Sequence, residues 1–258
     1  MKFNYFLATA AIALTVVGCK KDEEVTGPGF TPEPEPTTFG AVNLSINHSY
    51  NDQNFALATF YYNNAEEAVS FNSVKYYVGD VKLVTTSGTV RTVNNTPVLI
   101  NLSANGNSTV TLDNVPTGEY KSVQITLGMD HMTMLPTEVS ALAETNSDLY
   151  FNDEDGFVFL RMRGYCPVAP NGNVDLRIGG CAAPLNAMTE SNTTLTETLV
   201  VVENEVASLA VNADLGNVID GSSANLSFTQ NGTITAPCAL GVNLARNFAE
   251  GISFDGIE

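Results

Sequence analysis

The sequence has no tryptophan and only two histidines, His48 and His131, among its 258 residues. Basic residues are also few: 11 lysines and arginines against 28 aspartates and glutamates give a formal net charge of −17. Nucleic-acid binding needs clustered lysine and arginine to neutralise phosphates, so we expect no nucleic-acid partner. The acidic balance is typical of a surface that keeps a protein soluble.

Catalytic motifs are missing as well. The chain contains no Gly-x-Ser-x-Gly, no glycine loop for phosphate and no His-Glu-x-x-His. With two histidines, a serine or cysteine nucleophile has little choice of general base, and no spacing singles out a pair of carboxylates for glycoside hydrolysis. The sequence therefore predicts a binding protein rather than an enzyme.

The first 18 residues have the pattern of a signal peptide. Lys2 gives a positive head, and the apolar run over 6–17 is too short to cross a bilayer core. The run ends in Val16-Val17-Gly18-Cys19, which resembles a bacterial lipobox, whose cysteine becomes the lipidated first residue of the mature protein. The alternative is an ordinary signal peptide followed by a chance cysteine.

Residues 19–39 are interpreted as a lipidated tether and a linker. The acidic run over 22–24 resembles the surface-export signal of Bacteroidota lipoproteins, although a solvated tether would also contain such a run. Pro-Glu-Pro-Glu-Pro further on favours an extended spacer. We therefore expect a globular domain over 40–258, anchored to the membrane at the bacterial outer membrane or cell surface.

Three cysteines follow Cys19, and an exported location is compatible with disulfides. Cys166 and Cys181 flank a loop rich in proline, glycine and asparagine, and they are the predicted pair. Cys238 is then left over, either buried or the true partner of one of the other two. The cysteine and histidine spacings do not indicate a zinc site.

The stretch over 74–83 predicts a central strand. Val74, Tyr76 and Val78 alternate with polar or smaller residues, and Val81 and Leu83 continue the alternation in the opposite phase. This change of phase predicts a β-bulge at Gly79-Asp80.

Many short strands with regularly spaced turn signals indicate an all-β fold. One or two helical turns are predicted over 136–143, and apolar residues at helical spacing predict a short helix over 239–248. We predict one antiparallel β-sandwich, immunoglobulin-like or a related Greek key, with one or two short helices.

The central strand also carries a family resemblance. Phe71-Asn-Ser-Val-Lys-Tyr-Tyr-Val-Gly-Asp-Val-Lys-Leu83 resembles the F-x-x-L-K-Y-Y-I-S-N-I-x-L signature of the MbnP-like family. Weaker family motifs follow in order over 112–129, 206–214 and 239–248. The family consists of bacterial envelope proteins named after a copper-binding partner of methanobactin systems. The resemblance implies a binding protein with a copper ion and a metal-handling partner in the envelope.

Five residues are candidate copper ligands. The resemblance implies His48, which matches the F-x-H position of the family. It also implies His131, which follows Leu127-Gly128 in the segment where copper-binding members carry Asn-His. Met129, Met132 and Met134 surround His131, and their thioethers suit Cu(I). The methionines could instead fill gaps in the core.

Two departures from the family pattern bear on this site. Copper-binding members use an oxidised tryptophan, but this chain has Phe151 at the first tryptophan of W-x-W-x-x-G-Y-x-F. Arg177 stands where other members have a histidine before I-G. The resemblance therefore implies a site that is either lost or rebuilt around sulfur.

Two rival functions use no copper. One is a structural or adhesive surface module that has lost its metal. The other is a carbohydrate-binding sandwich stabilised by calcium at the oxygen donors of 152–155. The spacing of these donors differs from that of an EF-hand, and a solvated acidic turn is the alternative interpretation.

Overall fold

Strands form most of this computed structural model, which describes residues 38–103, 108–130 and 134–257. All of these residues belong to one compact unit, Pro36–Glu258. The strands are β1 (Phe39–Tyr50), β2 (Gln53–Asn54), β3 (Phe60–Tyr62), β4 (Ala68–Thr85), β5 (Val90–Asn94), β6 (Val98–Asn101), β7 (Thr109–Pro116), β8 (Gly118–Leu127), β9 (Tyr150–Asn152), β10 (Gly156–Tyr165), β11 (Asn173–Gly179), β12 (Thr189–Val201), β13 (Val206–Asp214), β14 (Thr233–Ile234) and β15 (Ile252–Ile257). The α-helices are α1 (Pro136–Thr145), α2 (Leu215–Ile219), α3 (Phe228–Asn231) and α4 (Ala239–Glu250).

The strands form two sheets, which confirms the predicted all-β sandwich. The smaller sheet has the order β15-β13-β1-β2, with β7 also on β1. The larger sheet has the order β12-β8-β4-β10-β11-β14, with further short strands on β4 and β10. The pairs β1·β13 and β11·β14 are parallel, and the other described pairs are antiparallel. Alternation of side chains does not encode strand direction, so the sequence did not predict the parallel pairs.

The bulge predicted in the central strand is present. Between the pairs Val78–Leu127 and Val81–Ile125, β4 advances three residues while β8 advances two. A Cβ atom at Gly79 would lie 2.5 Å from the backbone oxygen of Gly128, so only glycine fits there. The extra residue keeps Val78 and Val81 on the core side.

The core fills the space between the sheets. Val42, Leu44 and Ile46 of β1 are buried at every second position. Phe248 of α4 packs edge-on against Tyr76 of β4, with ring centroids 5.0 Å apart. Each such large side chain contributes about 1.5–3 kcal/mol by leaving water. Helix α4 therefore belongs to the core rather than to a surface connection.

The described part of the chain has four α-helices, more than the predicted one or two. Helices α1 and α4 match the predicted segments over 136–143 and 239–248. Helices α2 and α3 have five and four residues, too few to show a helical period. No helix among the described residues is long and apolar enough to cross a membrane. The predicted signal peptide over 1–18 and Cys19 lie outside the described residues.

The predicted Cys166–Cys181 disulfide is wrong. Cys166 lies at the turn between β10 and β11, where its N–H donates to the carbonyl of Gly172. Cys181 follows the opposite end of β11, so the seven residues of this strand lie between them. At ~3.3 Å per residue the separation is roughly 20 Å, whereas a disulfide needs Cα atoms within about 7 Å. Both residues are thiols in the structure.

Candidate functional site

Three methionines line one pocket on the outer face of the larger sheet, which we call the methionine pocket. Met129 follows β8, Met134 precedes α1 and Met188 precedes β12. The cavity has a volume of about 440 Å³. Met129 is 2% exposed and Met188 is 38% exposed, so the methionines of the pocket range from buried to exposed. Met129 and Met134 are close in sequence, and Met188 joins them in the pocket lining from a distant part of the chain.

The chain geometry beside the bulge shapes this pocket. Gly128 has a φ of +106°, which favours glycine, and its N–H donates to the carbonyl of Tyr77. A Cβ atom at Gly128 would lie 2.7 Å from the ring of Phe159. The chain can therefore turn closely over β10 and direct Met129 into the pocket region.

The pocket carries more negative than positive side chains. Asp80, Asp130 and Glu190 line it, and Lys82 is the one cationic side chain among the described lining residues. Lys82 forms an ion pair with Glu190, with 2.6 Å between Nζ and Oε2. Three carboxylates against one ammonium group among the described lining residues give the pocket a net negative charge, which favours entry of a cation.

His48 lies near the end of β1, between the two sheets. Its Nε2 atom is 2.8 Å from the hydroxyl oxygen of Tyr76, and the two form a hydrogen bond. Burial lowers the pKa of His48 to about 4, so the imidazole is neutral at pH 7. A neutral imidazole is the form that binds a metal ion.

The structure does not bring His48 and the methionines together. His48 contacts Tyr76 on the core side of β4, whereas the methionine pocket lies on the outer side, beside Gly79 and Asp80. A separate cavity beside His48 is lined among the described residues by apolar, serine and asparagine side chains, without sulfur. His131 and Met132 lie outside the described residues. The predicted site therefore divides into His48 on one side and Met129 with Met134 on the other.

Met188 was missed by the sequence analysis. It lies far along the chain from Met134, and a single methionine carries no pattern of its own. The three-dimensional fold places it in the pocket because β12 pairs with β8, with Thr189 opposite Leu127. This pairing also brings Glu190 next to Thr126 and so places its carboxylate at the pocket.

Phe151 and Arg177 occupy the positions where the family resemblance implies tryptophan and histidine. The guanidinium carbon of Arg177 lies 4.8 Å from the centre of the Phe151 ring, a cation–π contact. Arg177 also donates a hydrogen bond to the carbonyl of Tyr150. A positive group on an apolar ring thus stands where the resemblance implies metal ligands.

The acidic turn over 152–155 is held together by its own side chains. The side-chain oxygen of Asn152 accepts hydrogen bonds from the N–H groups of Glu154 and Asp155, and its amide donates to Asp155. Tyr150 donates to Asp153. This arrangement matches the interpretation as a solvated acidic turn. Among the described residues, no group of three or more histidine, cysteine, aspartate or glutamate side chains is arranged to hold a metal ion.

Two facing sheets with a few short helices define an all-β sandwich protein with a sulfur-lined surface pocket. The family profile of MbnP matches residues 39–238, and the chain belongs to this family. The solved structure of MbnP from Methylosinus trichosporium is similar, with 11% sequence identity and a TM-score of 0.47, and the match covers 78% of this chain and 82% of that chain. No curated protein matches the sequence.

Proposed function

We propose that this protein is a non-catalytic, lipid-anchored binding protein of the bacterial envelope that binds Cu(I) in the methionine pocket. The observation that supports copper binding most directly is the presence of Met129, Met134 and Met188 in one acidic pocket. The family resemblance also implies copper. A metal-handling protein of the envelope would deliver or receive the ion.

The donor set favours a soft monovalent ion. Thioether sulfur binds Cu(I) well but is a poor ligand for calcium or magnesium, which prefer oxygen. Thioethers stay uncharged, so nearby carboxylates such as Asp80 and Asp130 would balance the charge of the bound ion. Because Met188 is partly exposed, the ion could enter without rearrangement of the core.

Competition for Cu(I) tests this proposal. The protein is titrated without oxygen against the chromogenic Cu(I) chelator bicinchoninate. We expect the triple variant Met129→Leu, Met134→Leu, Met188→Leu to bind at least tenfold more weakly than the natural chain. The matched control is Met162→Leu, which removes a thioether that is fully buried in β10. Equal affinity of the triple variant and the control would contradict the proposal.

The lipid anchor is proposed from the lipobox resemblance at Cys19. In cells fed radiolabelled palmitate, the natural chain should take up label and sediment with membranes. The variant Cys19→Ala should do neither, because the thiol that carries the lipid is gone. Equal labelling of both proteins would contradict an anchor at Cys19.

An exposed aromatic surface supports a second candidate function, carbohydrate binding without a metal. Phe60 and Tyr165 both lie opposite Ser70, on the two strands that flank β4 at this point, and their ring centroids are 6.5 Å apart. Both are 51% exposed, and Tyr62 is 63% exposed. Exposed apolar clusters often mark binding surfaces. Aromatic rings beside a small polar residue suit the apolar faces of neutral sugars.

Affinity electrophoresis in gels that contain laminarin, a neutral β-glucan, tests this candidate. We expect the gel to retard the migration of the natural chain. The double variant Tyr62→Ala, Tyr165→Ala should migrate without retardation. The control Val200→Ala changes a side chain of equal exposure on another strand. Unretarded migration of the natural chain would exclude the β-glucan as a ligand.

A further inference from the structure

The ends of β11 and β14 lead two cysteines toward each other. These strands are parallel, with Asp175 opposite Thr233 and Leu176 opposite Ile234. The ladder ends at this second pair, and the two segments run on to Gly180 and to Pro237. Cys181 directly follows Gly180, and Cys238 directly follows Pro237.

Contacts beyond the paired residues show that the two segments stay adjacent. A Cβ atom at Gly180 would lie 2.9 Å from Cβ of Pro237, the residue just before Cys238. Gly180 has a φ of +102°, so the regular alternation of side chains ends there. The direction of the Cys181 side chain is therefore not fixed by the alternation of β11.

The contact between Gly180 and Pro237 sets the scale of the separation of the two cysteines. Each cysteine directly follows one residue of this contact, and neighbouring strands lie ~4.8 Å apart, so a Cα spacing of about this size is compatible with the geometry. The Cα atoms of disulfides usually lie about 4.4–6.8 Å apart. Both side chains are partly buried, whereas Cys166 is fully buried at the other end of β11.

We propose that Cys181 and Cys238 form a disulfide when the protein is exposed to an oxidising compartment. The two thiols lose two protons and two electrons, and one bond forms between their Sγ atoms. The acceptor is the disulfide of an external oxidant, either a thiol–disulfide oxidase or oxidised glutathione, which is reduced to two thiols. Cys166 stays a thiol.

The disulfide would link the start of α4 to the loop that precedes β12. Cys238 is the residue that caps α4, and its Sγ accepts a hydrogen bond from the N–H of Gly241. Cys181 begins the loop that ends at Met188, and this loop is closed by a hydrogen bond from Ala187 to Gly180. The disulfide would fix the start of α4 to the start of this loop. The inference does not depend on copper binding.

Mass spectrometry of the unreduced full-length protein tests the proposal. The protein is purified without reductant, alkylated with iodoacetamide in denaturant and cut with trypsin. Trypsin leaves Cys166 in the peptide 164–177, and it leaves Cys181 and Cys238 together in 178–246. We expect an alkylated 164–177, and an unalkylated 178–246 that is two hydrogen atoms lighter than its reduced form.

Other outcomes would overturn the proposal in distinct ways. Alkylation of all three cysteines would show that no disulfide forms, and covalent linkage of 164–177 to 178–246 would show a bond to Cys166. As a second measurement, reductant should lower the melting temperature of the natural chain and of Cys166→Ala by about 5–10 °C. Reductant should leave the melting temperature of Cys181→Ser unchanged. Equal melting of the natural chain with and without reductant would also contradict the proposal.

Discussion

Glu67 joins two distant parts of the chain through a single carboxylate. It lies just before β4 and accepts hydrogen bonds from the N–H groups of Phe228 and Thr229 at the start of α3. The hydroxyl of Thr229 and the amide of Asn63 also donate to it. Desolvation alone would raise the pKa of Glu67, but these hydrogen bonds outweigh it and lower the pKa to about 2.

We expect Glu67→Gln to lower the free energy of unfolding by about 2 kcal/mol at pH 7, since an amide replaces an ionised acceptor of several hydrogen bonds. Urea unfolding measures the change. The control Glu66→Gln alters an exposed neighbour and should stay within about 0.5 kcal/mol of the natural chain.

The same carboxylate predicts part of the acid sensitivity. Its folded pKa lies below the value of about 4.3 expected in the unfolded chain. Its contribution is therefore complete above that unfolded value and is lost as the pH falls towards 2. Natural chain and Glu67→Gln should converge in stability over this range. A difference that is independent of pH would contradict this assignment.

His48 predicts pH dependence in a higher range. Its folded pKa of about 4 lies below the unfolded value of 6.5, so the unfolded chain takes up a proton first as the pH falls. Stability should fall from about pH 6.5 towards pH 4, by at most about 3 kcal/mol and by less because water reaches the half-buried ring. His48→Gln should remove this slope in urea unfolding at pH 7.5 and pH 5. Equal slopes in both proteins would show that His48 is solvated.

At the scale of elements, Asn247 of α4 connects the helix to the segment after α2. Its side-chain oxygen accepts hydrogen bonds from the N–H groups of Ser223 and Ala224. Its amide donates to the carbonyls of Val218 and Ala224. The Asn247 side chain is completely buried, and its hydrogen bond to the carbonyl of Val218 is buried as well.

We expect Asn247→Ala to destabilise the protein by about 3 kcal/mol, because it removes the partner of the buried carbonyl of Val218 and of the partly buried backbone groups of Ser223 and Ala224. Thermal unfolding followed by circular dichroism measures the loss. Asn243→Ala, on a more exposed part of the same helix, should cost less than about 1 kcal/mol. Similar losses in both variants would contradict a specific role for Asn247.

The elements that the sequence predicts are those whose pattern is local. The bulge in β4 follows from a change of phase within one strand, and α1 and α4 are long enough to show a helical period. The parallel pairing of β1 with β13 is a long-range property of the chain and has no local signal. The Cys166–Cys181 prediction was wrong for a related reason: nearness in sequence was taken for nearness in space, although β11 lies between them.

The difference between local and long-range signals also explains which residues of the candidate site the sequence predicts. Met129 and Met134 could be grouped because they are close in sequence, whereas Met188 joins them only through the pairing of β12 with β8. His48 could be placed near the end of the first strand, but its contact with Tyr76 on the core side depends on how the sheets face each other. Alternation assigns residues to the faces of one strand, not to their neighbours across the core.

At the scale of the whole molecule, the two faces of the larger sheet have different roles. The core face packs against the smaller sheet and α4, with Tyr76 at the contact with His48 and Phe248. The outer face carries the acidic methionine pocket at one place and the aromatic surface at another. The methionine pocket and His48 therefore lie on opposite faces of this sheet.

X-ray absorption at the copper edge of the Cu(I)-loaded protein tests the central claim most directly. The account predicts sulfur as the main atom type bound to copper, with a spectrum that is unchanged in His48→Gln and altered when Met129, Met134 and Met188 are replaced by leucine. A spectrum dominated by nitrogen or oxygen that changes in His48→Gln and survives the three leucines would contradict it.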